Sequence, residues 1–183
     1  QKEKASHSFL NMFISPAELI RLVVVTLALG YIFSNTIKLP RSLDDFYKRI
    51  DWKNIKISML IAAPAVLLHE LSHKFTALFF GLNAEFFANY FGLGIGVLLR
   101  LINSPFLIFM PGYVSIGSAN ALQSALIAFM GPFMNLLLWL IPAWLLKHMH
   151  FNNKTSMILY AIKRINMILF IFNMIPIPPI DGF

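Results

Sequence analysis

The sequence predicts a mainly α-helical, polytopic membrane protein with about four transmembrane helices and a small membrane-embedded β element between the second and third of them. Of its 183 residues, 58% are hydrophobic and 13% are charged, and the mean hydropathy is +0.71. A soluble domain has about 25% charged residues. The charged residues also concentrate in short segments between apolar runs, as expected beside lipid headgroups. The chain is therefore suited to a lipid environment.

The charge pattern and the absence of cysteine restrict the function classes. The formal net charge of +7 does not indicate nucleic-acid binding, because the basic residues do not form one continuous polar face. We expect the lipid bilayer to be their partner. The chain has no cysteine, which excludes disulfides, thiolate metal ligands and a cysteine nucleophile. We predict a single domain over residues 1–183. Because the sequence opens on Gln1 and closes just after Asp181, we expect a longer product that continues beyond its C-terminal end.

Two apolar runs in the first half of the chain predict the first two transmembrane helices. Ser15, Pro16 and Glu18 have the order of an N-cap, a first-turn proline and the acidic residue of a capping box. The first helix should therefore begin just before the apolar run at 19–33. A polar, mostly basic connection follows, and a second and longer apolar run occupies 55–80. Both runs are compatible with bilayer-spanning helices.

The segment after the second run is apolar but does not resemble a plain transmembrane helix. A Gly-x-Gly-x-Gly run lies at 92–96, and Pro111-Gly112 suits a type II turn. The short apolar stretches at 106–110 and 113–116 flank this turn, so we predict a hairpin. Irregular backbone in an apolar segment is tolerated only where protein or a cavity buries it. We therefore expect this segment to form one wall of a cavity.

The second half of the chain predicts two further transmembrane helices. The run at 118–146 contains Asn135, whose amide is either a link between helices or a functional group. The run at 155–175 contains Asn173 and is followed by three prolines within 176–179. Because successive prolines cannot continue a helix, an irregular loop should follow at or near membrane depth. Asn173 is well placed to provide a polar partner for that loop.

The stretch His69-Glu70-Leu71-Ser72-His73 contains the residues that indicate chemistry. On a helix, His69 and His73 lie one turn apart on the same face, close enough to bind one zinc ion. Glu70 is rotated by about 100° from His69 and can act as the general base of a zinc hydrolase. The alternative is a pair of core histidines that are hydrogen-bonded across helices. The apolar surroundings favour the functional interpretation, because ionisable groups inside a membrane are costly.

A catalytic zinc site needs a third protein ligand and an open position for water. Downstream of the HExxH stretch, the candidates are Glu85, His148, His150 and Asp181. The two histidines lie beside a lysine in a polar connection, and Glu85 would have to fold back onto the helix. Asp181 follows the proline loop between membrane-buried segments. We therefore predict a site of two histidines and Asp181, with Glu70 as the general base.

Three motifs resemble the signature elements of the site-two protease family of intramembrane zinc metalloproteases. They are HELSHKFTALFFG at 69–81, GPFMN at 131–135 and FNMIPIPPIDG at 172–182. Their order and approximate spacing match the family, and the resemblance covers residue 55 to the end. Phe183 stands where the family commonly has glycine. The sequence shows neither the PDZ insertion nor the CBS pair of some members.

The resemblance implies a metalloprotease that hydrolyses a peptide bond within or next to a transmembrane helix of a membrane-protein substrate. It implies one zinc ion per chain, held by His69, His73 and Asp181, with Glu70 as the catalytic acid and base. The segment around 106–116 resembles the membrane-embedded β element of the family. The residues expected to bind substrate or shape the site are Asn135, Asn173, Tyr113 and Val114.

Three alternatives remain open at this point. A membrane metal-ion transporter would use the intramembrane histidines to pass an ion. Another HExxH membrane metalloprotease would take a glutamate as third ligand, for which Glu85 is the candidate. A non-haem iron site of two histidines and one carboxylate has the same ligand count. Glu70 beside the first histidine favours hydrolysis over the iron site.

Overall fold

The computed structural model describes residues 14–34, 52–104, 110–176 and 181. These residues form five helices and two strands. In chain order the elements are α1 (Pro16–Phe33), α2 (Trp52–Phe79), β1 (Ala84–Ala88), α3 (Tyr90–Leu101), β2 (Gly112–Ile116), α4 (Ala121–His148) and α5 (Asn153–Asn173). The four helices other than α3 are long and apolar enough to cross a membrane. The predicted fold class is confirmed.

Helix α1 begins at the predicted capping box. The Ser15 hydroxyl accepts a hydrogen bond from the Glu18 amide at 3.2 Å, and the Ser15 amide donates to Glu18 Oε2 at 2.8 Å. Each side chain thus satisfies a backbone amide that the first helical turn leaves without a partner. The box fixes the point at which the chain enters the first span.

Helix α2 is continuous through Pro64 and has 28 residues. At 1.5 Å per residue it is about 42 Å long, which is enough to cross a bilayer. It ends at Phe79, and Gly81 two residues later has a φ of +73°, in the left-handed region that glycine adopts without a Cβ clash. The Leu82 amide then donates to the Ala77 carbonyl at 3.0 Å, which closes the helix end.

The β element differs from the predicted hairpin. Strand β2 pairs antiparallel with β1, so that Phe86 lies opposite Val114, and Gly112 belongs to the strand itself. The prediction of a hairpin closed by Pro111-Gly112 was therefore wrong for the 113–116 arm, and residues 106–109 of the other arm lie outside the described residues. Strand β2 pairs with β1, which precedes α3 in the chain. Local turn propensity does not reveal this partner, because strand pairing depends on the packing of distant side chains.

The glycine run forms part of helix α3 instead of an irregular segment. Asn89 caps the helix, and its side chain accepts a hydrogen bond from the Gly92 amide at 2.9 Å. A Cβ atom at Gly92 would lie 2.0 Å from the Met110 carbonyl oxygen. Glycine is needed at this position because the backbone before β2 rests directly on α3. Helix α3 therefore supports one wall of the cavity described below.

The remaining helices complete a layer around α2. Helix α1 packs against α2, β1 and α3, and α4 packs between α2 and α5. Helices α4 and α5 begin at the N-caps Asn120 and Asn152, close to the predicted starts of the third and fourth spans. The buried apolar core lies between α1, α2, the sheet and α3, and it contains Leu22, Val25, Leu29, Ile32, Ala63, Phe86 and Leu93.

Candidate metal centre

The two histidines of the HExxH stretch face the interior from the second half of α2. His69 and His73 are 6% and 7% exposed. Their Nε2 atoms lie 3.1 Å apart, and the two rings meet edge to face with centroids 4.7 Å apart. The helix therefore presents two nitrogen lone pairs towards one point, as its 3.6-residue period requires.

Asp181 reaches the same point from the far end of the chain. Its Oδ2 atom lies 2.8 Å from His69 Nε2, and its Oδ1 atom lies 3.4 Å from His73 Nε2. One ligand atom from each of the three residues lies within 4.8 Å of the others. The structure thus brings together the three residues that the sequence predicted as metal ligands.

The three ligand atoms fit a zinc ion. Zinc binds histidine nitrogen and carboxylate oxygen at about 2.0–2.2 Å, and a tetrahedral arrangement at such lengths places neighbouring ligand atoms about 3.3 Å apart. The two Nε2 atoms are 3.1 Å apart, and each has one carboxylate oxygen of Asp181 close to that value, Oδ2 at 2.8 Å from His69 and Oδ1 at 3.4 Å from His73. Two nitrogens and one oxygen form a donor set suited to zinc, with room for a fourth, exchangeable position.

The surroundings of His73 orient its ring. His73 Nδ1 lies 2.7 Å from the Ile127 carbonyl oxygen on α4, so it can donate there and leave Nε2 unprotonated for a metal. A Cβ atom at Gly131 would lie 2.2 Å from His73 Nε2 and 2.8 Å from His69 Cε1. Helix α4 therefore contributes a ring-orienting carbonyl and a position where only glycine leaves space for the metal ligands.

Glu70 and the other predicted site residues border one cavity of about 480 Å³. Glu70 is 9% exposed and lies on the same wall as the two histidines. The side-chain nitrogen and oxygen of Asn135 are buried and have no hydrogen-bond partner within the described residues. The cavity is otherwise mostly apolar, and its predicted site-shaping residues are Asn135, Asn173, Tyr113 and Val114.

The rival third ligands lie elsewhere. Glu85 pairs with Arg21 on α1 at 2.6 Å and borders a different cavity. His148 is exposed, and its Nδ1 atom lies 2.9 Å from the Trp144 carbonyl oxygen. His150 is also exposed. The structure does not bring any of these residues to the histidines of α2.

Four residues near the site were not predicted to matter for it. The Ile127 carbonyl leaves no trace in a sequence, and Gly131 was singled out only as part of the GPFMN motif. Lys74 follows His73 directly and is 1% exposed, and it pairs with Glu18, which is 2% exposed. Glu18 showed only the pattern of a helix cap. A lysine inside an apolar span was the available signal, because such a charge needs a partner.

A buried group of two histidines and a carboxylate beside a glutamate, between helices that can cross a bilayer, defines a membrane-embedded metallopeptidase. The chain belongs to peptidase family M50, the site-two protease family, whose family model matches residues 57–152. It is also 31% identical over 174 residues to a protein of Methanocaldococcus jannaschii named as a candidate zinc metalloprotease. That match covers 92% of this chain and 82% of the relative. No solved structure gives a significant match.

These relationships confirm the broad prediction of function. The protein is a multi-pass integral membrane metalloprotease, and its family implies a zinc cofactor. The substrate, the position of the cleaved bond and the role of each site residue belong to the proposal that follows.

Proposed function

We propose that the protein is a zinc endopeptidase that hydrolyses a peptide bond within or next to a transmembrane helix of a membrane-protein substrate. The observation that carries this proposal is the convergence of His69, His73 and Asp181 beside Glu70 in one cavity between apolar helices. Because this cavity lies between helices that are long and apolar enough to cross a membrane, the substrate should reach it from within the membrane. One zinc ion per chain satisfies the three ligands.

The side chains around the cavity have separate tasks in this reaction. When bound, zinc would supply a Lewis acid that polarises the scissile carbonyl and acidifies water. Glu70 accepts the proton of the attacking water and returns it to the leaving amine nitrogen. The amide of Asn135, which has no partner within the described residues, is available to bind the peptide backbone of the substrate.

A transmembrane helix must unwind locally before it is cut, because its peptide groups are hydrogen-bonded and sterically shielded. Strand β2 borders the cavity through Gly112, Tyr113 and Val114. An extended stretch of substrate can add to this strand by β-augmentation, in which main-chain hydrogen bonds replace those lost from the helix. The strand would then hold the scissile bond beside Glu70.

The proposal is tested with Glu70→Gln and a matched Glu85→Gln variant. Both remove one carboxylate charge, but only Glu70 borders the candidate metal centre. We expect Glu70→Gln to retain zinc, measured by elemental analysis, and to lose cleavage of a transmembrane substrate in detergent by at least a thousandfold. Glu85→Gln should retain both. Full activity of Glu70→Gln would contradict the proposal, and metal flux into proteoliposomes that survives this change would favour a transporter.

A further inference from the structure

The outer edge of β1 is occupied by two side chains of α1. The Phe86 amide donates to Glu18 Oε1 at 2.7 Å, and Arg21 Nη1 donates to the Phe86 carbonyl oxygen at 2.9 Å. Arg21 also pairs with Glu85 Oε1 at 2.6 Å and lies over the Phe87 ring, 4.3 Å from its centroid. Both backbone polar groups of one strand residue are therefore bound by the first transmembrane helix.

The register of the sheet shows that these two groups point away from β2. The Gly117 amide donates to the Asn83 carbonyl at 2.9 Å, and the Asn89 amide donates to the Pro111 carbonyl at 3.0 Å. Hydrogen-bonded and non-hydrogen-bonded pairs alternate along an antiparallel ladder. Phe86 is three residues, an odd number of steps, from each of these hydrogen-bonded ends and is thus in a non-hydrogen-bonded pair. Glu18 and Arg21 take the place that a third strand would occupy beside Phe86.

The outer edge of β2 has no such cover within the described residues. By the same alternation, Gly112, Val114 and Ile116 direct their amides and carbonyls away from β1. No backbone hydrogen bond from the described part of the chain reaches these groups. Gly112 and Val114 border the cavity that contains the metal ligands and Glu70. Among the residues that the structure describes, the sheet is therefore closed on one side and open on the side of the site.

A buried ion pair holds the cover in place. Glu18 Oε1 also accepts a hydrogen bond from Lys74 Nζ, and both side chains are almost fully buried. Separation of a buried pair leaves an uncompensated charge, which is strongly unfavourable. Lys74 is the neighbour of His73 on α2. One carboxylate thus joins the helix of the metal ligands, the start of α1 and the edge of β1.

We propose that Glu18 and Arg21 are positioning residues that close the outer edge of β1, so that an extended stretch of the substrate adds to β2 alone. This inference rests on the proposed endopeptidase function, which requires an extended substrate. The substrate then has one docking edge, and the peptide lies at one fixed distance from Glu70. Without the cover, β1 would offer Phe86 as a second docking edge, one strand further from the metal centre.

Disulfide trapping tests this inference, because the protein has no cysteine of its own. Ala84 on β1 and Ile116 on β2 lie directly opposite each other. A cysteine is placed at either position in the Glu70→Gln background, and a transmembrane substrate carries one cysteine that is moved through the region of the cut. We expect Ile116→Cys to form at least tenfold more disulfide with the substrate than Ala84→Cys. Equal trapping at both strands would overturn the proposal.

The variant Arg21→Met exposes the Phe86 carbonyl but keeps an apolar stem, and Glu85→Gln is its matched control. The control removes the charge partner of Arg21 and leaves the bond to Phe86 available. We expect Arg21→Met to raise trapping at Ala84→Cys several-fold and, with Glu70 intact, to raise KM about three- to tenfold at similar kcat and zinc content. Glu85→Gln should change neither. An unchanged trapping pattern and KM in Arg21→Met would overturn the proposal.

Disulfide trapping does not require cleavage of the substrate. Its result therefore tests the edge-blocking role independently of the endopeptidase function. If the unmodified protein binds zinc but does not cleave the substrate, that result would contradict the endopeptidase function. Trapping at both edges in a parent that cleaves normally would contradict the edge-blocking role and leave the endopeptidase function standing.

Discussion

At the scale of single residues, the candidate metal centre depends on its ligands and equally on the absence of a side chain at Gly131, beside the two histidines. His69 and His73 occupy space that any side chain at Gly131 would take. The His73 ring is also oriented by a backbone carbonyl at 2.7 Å, which is independent of the side chain at Ile127. Ligand identity is therefore necessary for the site, and close helix packing is equally necessary.

We expect Gly131→Ala to lower zinc affinity at least tenfold. The added Cβ would lie 2.2 Å from His73 Nε2, so the ring must move away from the ligand position. Alanine favours helices by about 1 kcal/mol over glycine, so α4 itself should not be weakened by propensity. The measurement is a competition titration with a zinc chelator. Gly94→Ala, where nothing lies within 4 Å of the new Cβ, is the matched control and should leave affinity unchanged.

We expect Asp181→Asn to lose most of the bound zinc, because it removes the charged ligand that joins His69 and His73. Glu85→Gln, which changes a carboxylate outside the cavity, should keep a full complement. Elemental analysis of the purified proteins gives the metal-to-protein ratio. Zinc retained by Asp181→Asn and lost from Glu85→Gln would assign the third ligand to Glu85 instead.

At the scale of elements, α1 is more than a membrane anchor. It carries Glu18 and Arg21 to the edge of β1, and Glu18 also pairs with Lys74 on α2. A single helix thus fixes the position of the sheet relative to the metal ligands. The capping box that was visible in the sequence accounts for only one of the two oxygens of Glu18.

We expect Lys74→Met to destabilise the protein by roughly 3–5 kcal/mol, because Glu18 is then buried as an unpaired charge. The double variant Glu18→Gln with Lys74→Met should recover part of that loss, since neither charge remains. The single oxygen of glutamine can accept from the Phe86 amide but no longer from the Ser15 amide as well. Denaturant or thermal unfolding in detergent measures both. Losses that simply add in the double variant would contradict the coupling of the pair.

At the scale of the whole molecule, four spanning helices and a short α3 determine which connections share a side of the membrane. Helix α3 has 12 residues and is about 18 Å long, which is shorter than a bilayer core of about 30 Å. The connection after α1 and the connection after α4 must then lie on one side, and the segment before α4 on the other.

We expect single cysteines at Lys53 and Asn152 to react with a membrane-impermeant maleimide from the same side, and a cysteine at Ser118 to react from the opposite side. All three residues are exposed, and the natural sequence adds no cysteine background. The basic connections favour a cytoplasmic position for the first two by the positive-inside rule, whereas similarity to the family favours the reverse, which we prefer. Labelling of intact cells decides between them.

The sequence by itself determined the membrane environment, the four long helices, their caps and the chemistry of the candidate ligands. Apolar length, capping residues and the spacing of His69 and His73 are local properties, so they are readable without a fold. Only the tertiary structure decided that β2 pairs with β1, that the glycine run is helical and that Glu18 pairs with Lys74. Strand pairing and buried ion pairs depend on which residues, distant in sequence, come into contact in the folded protein. Such contacts produce no periodic pattern in the sequence.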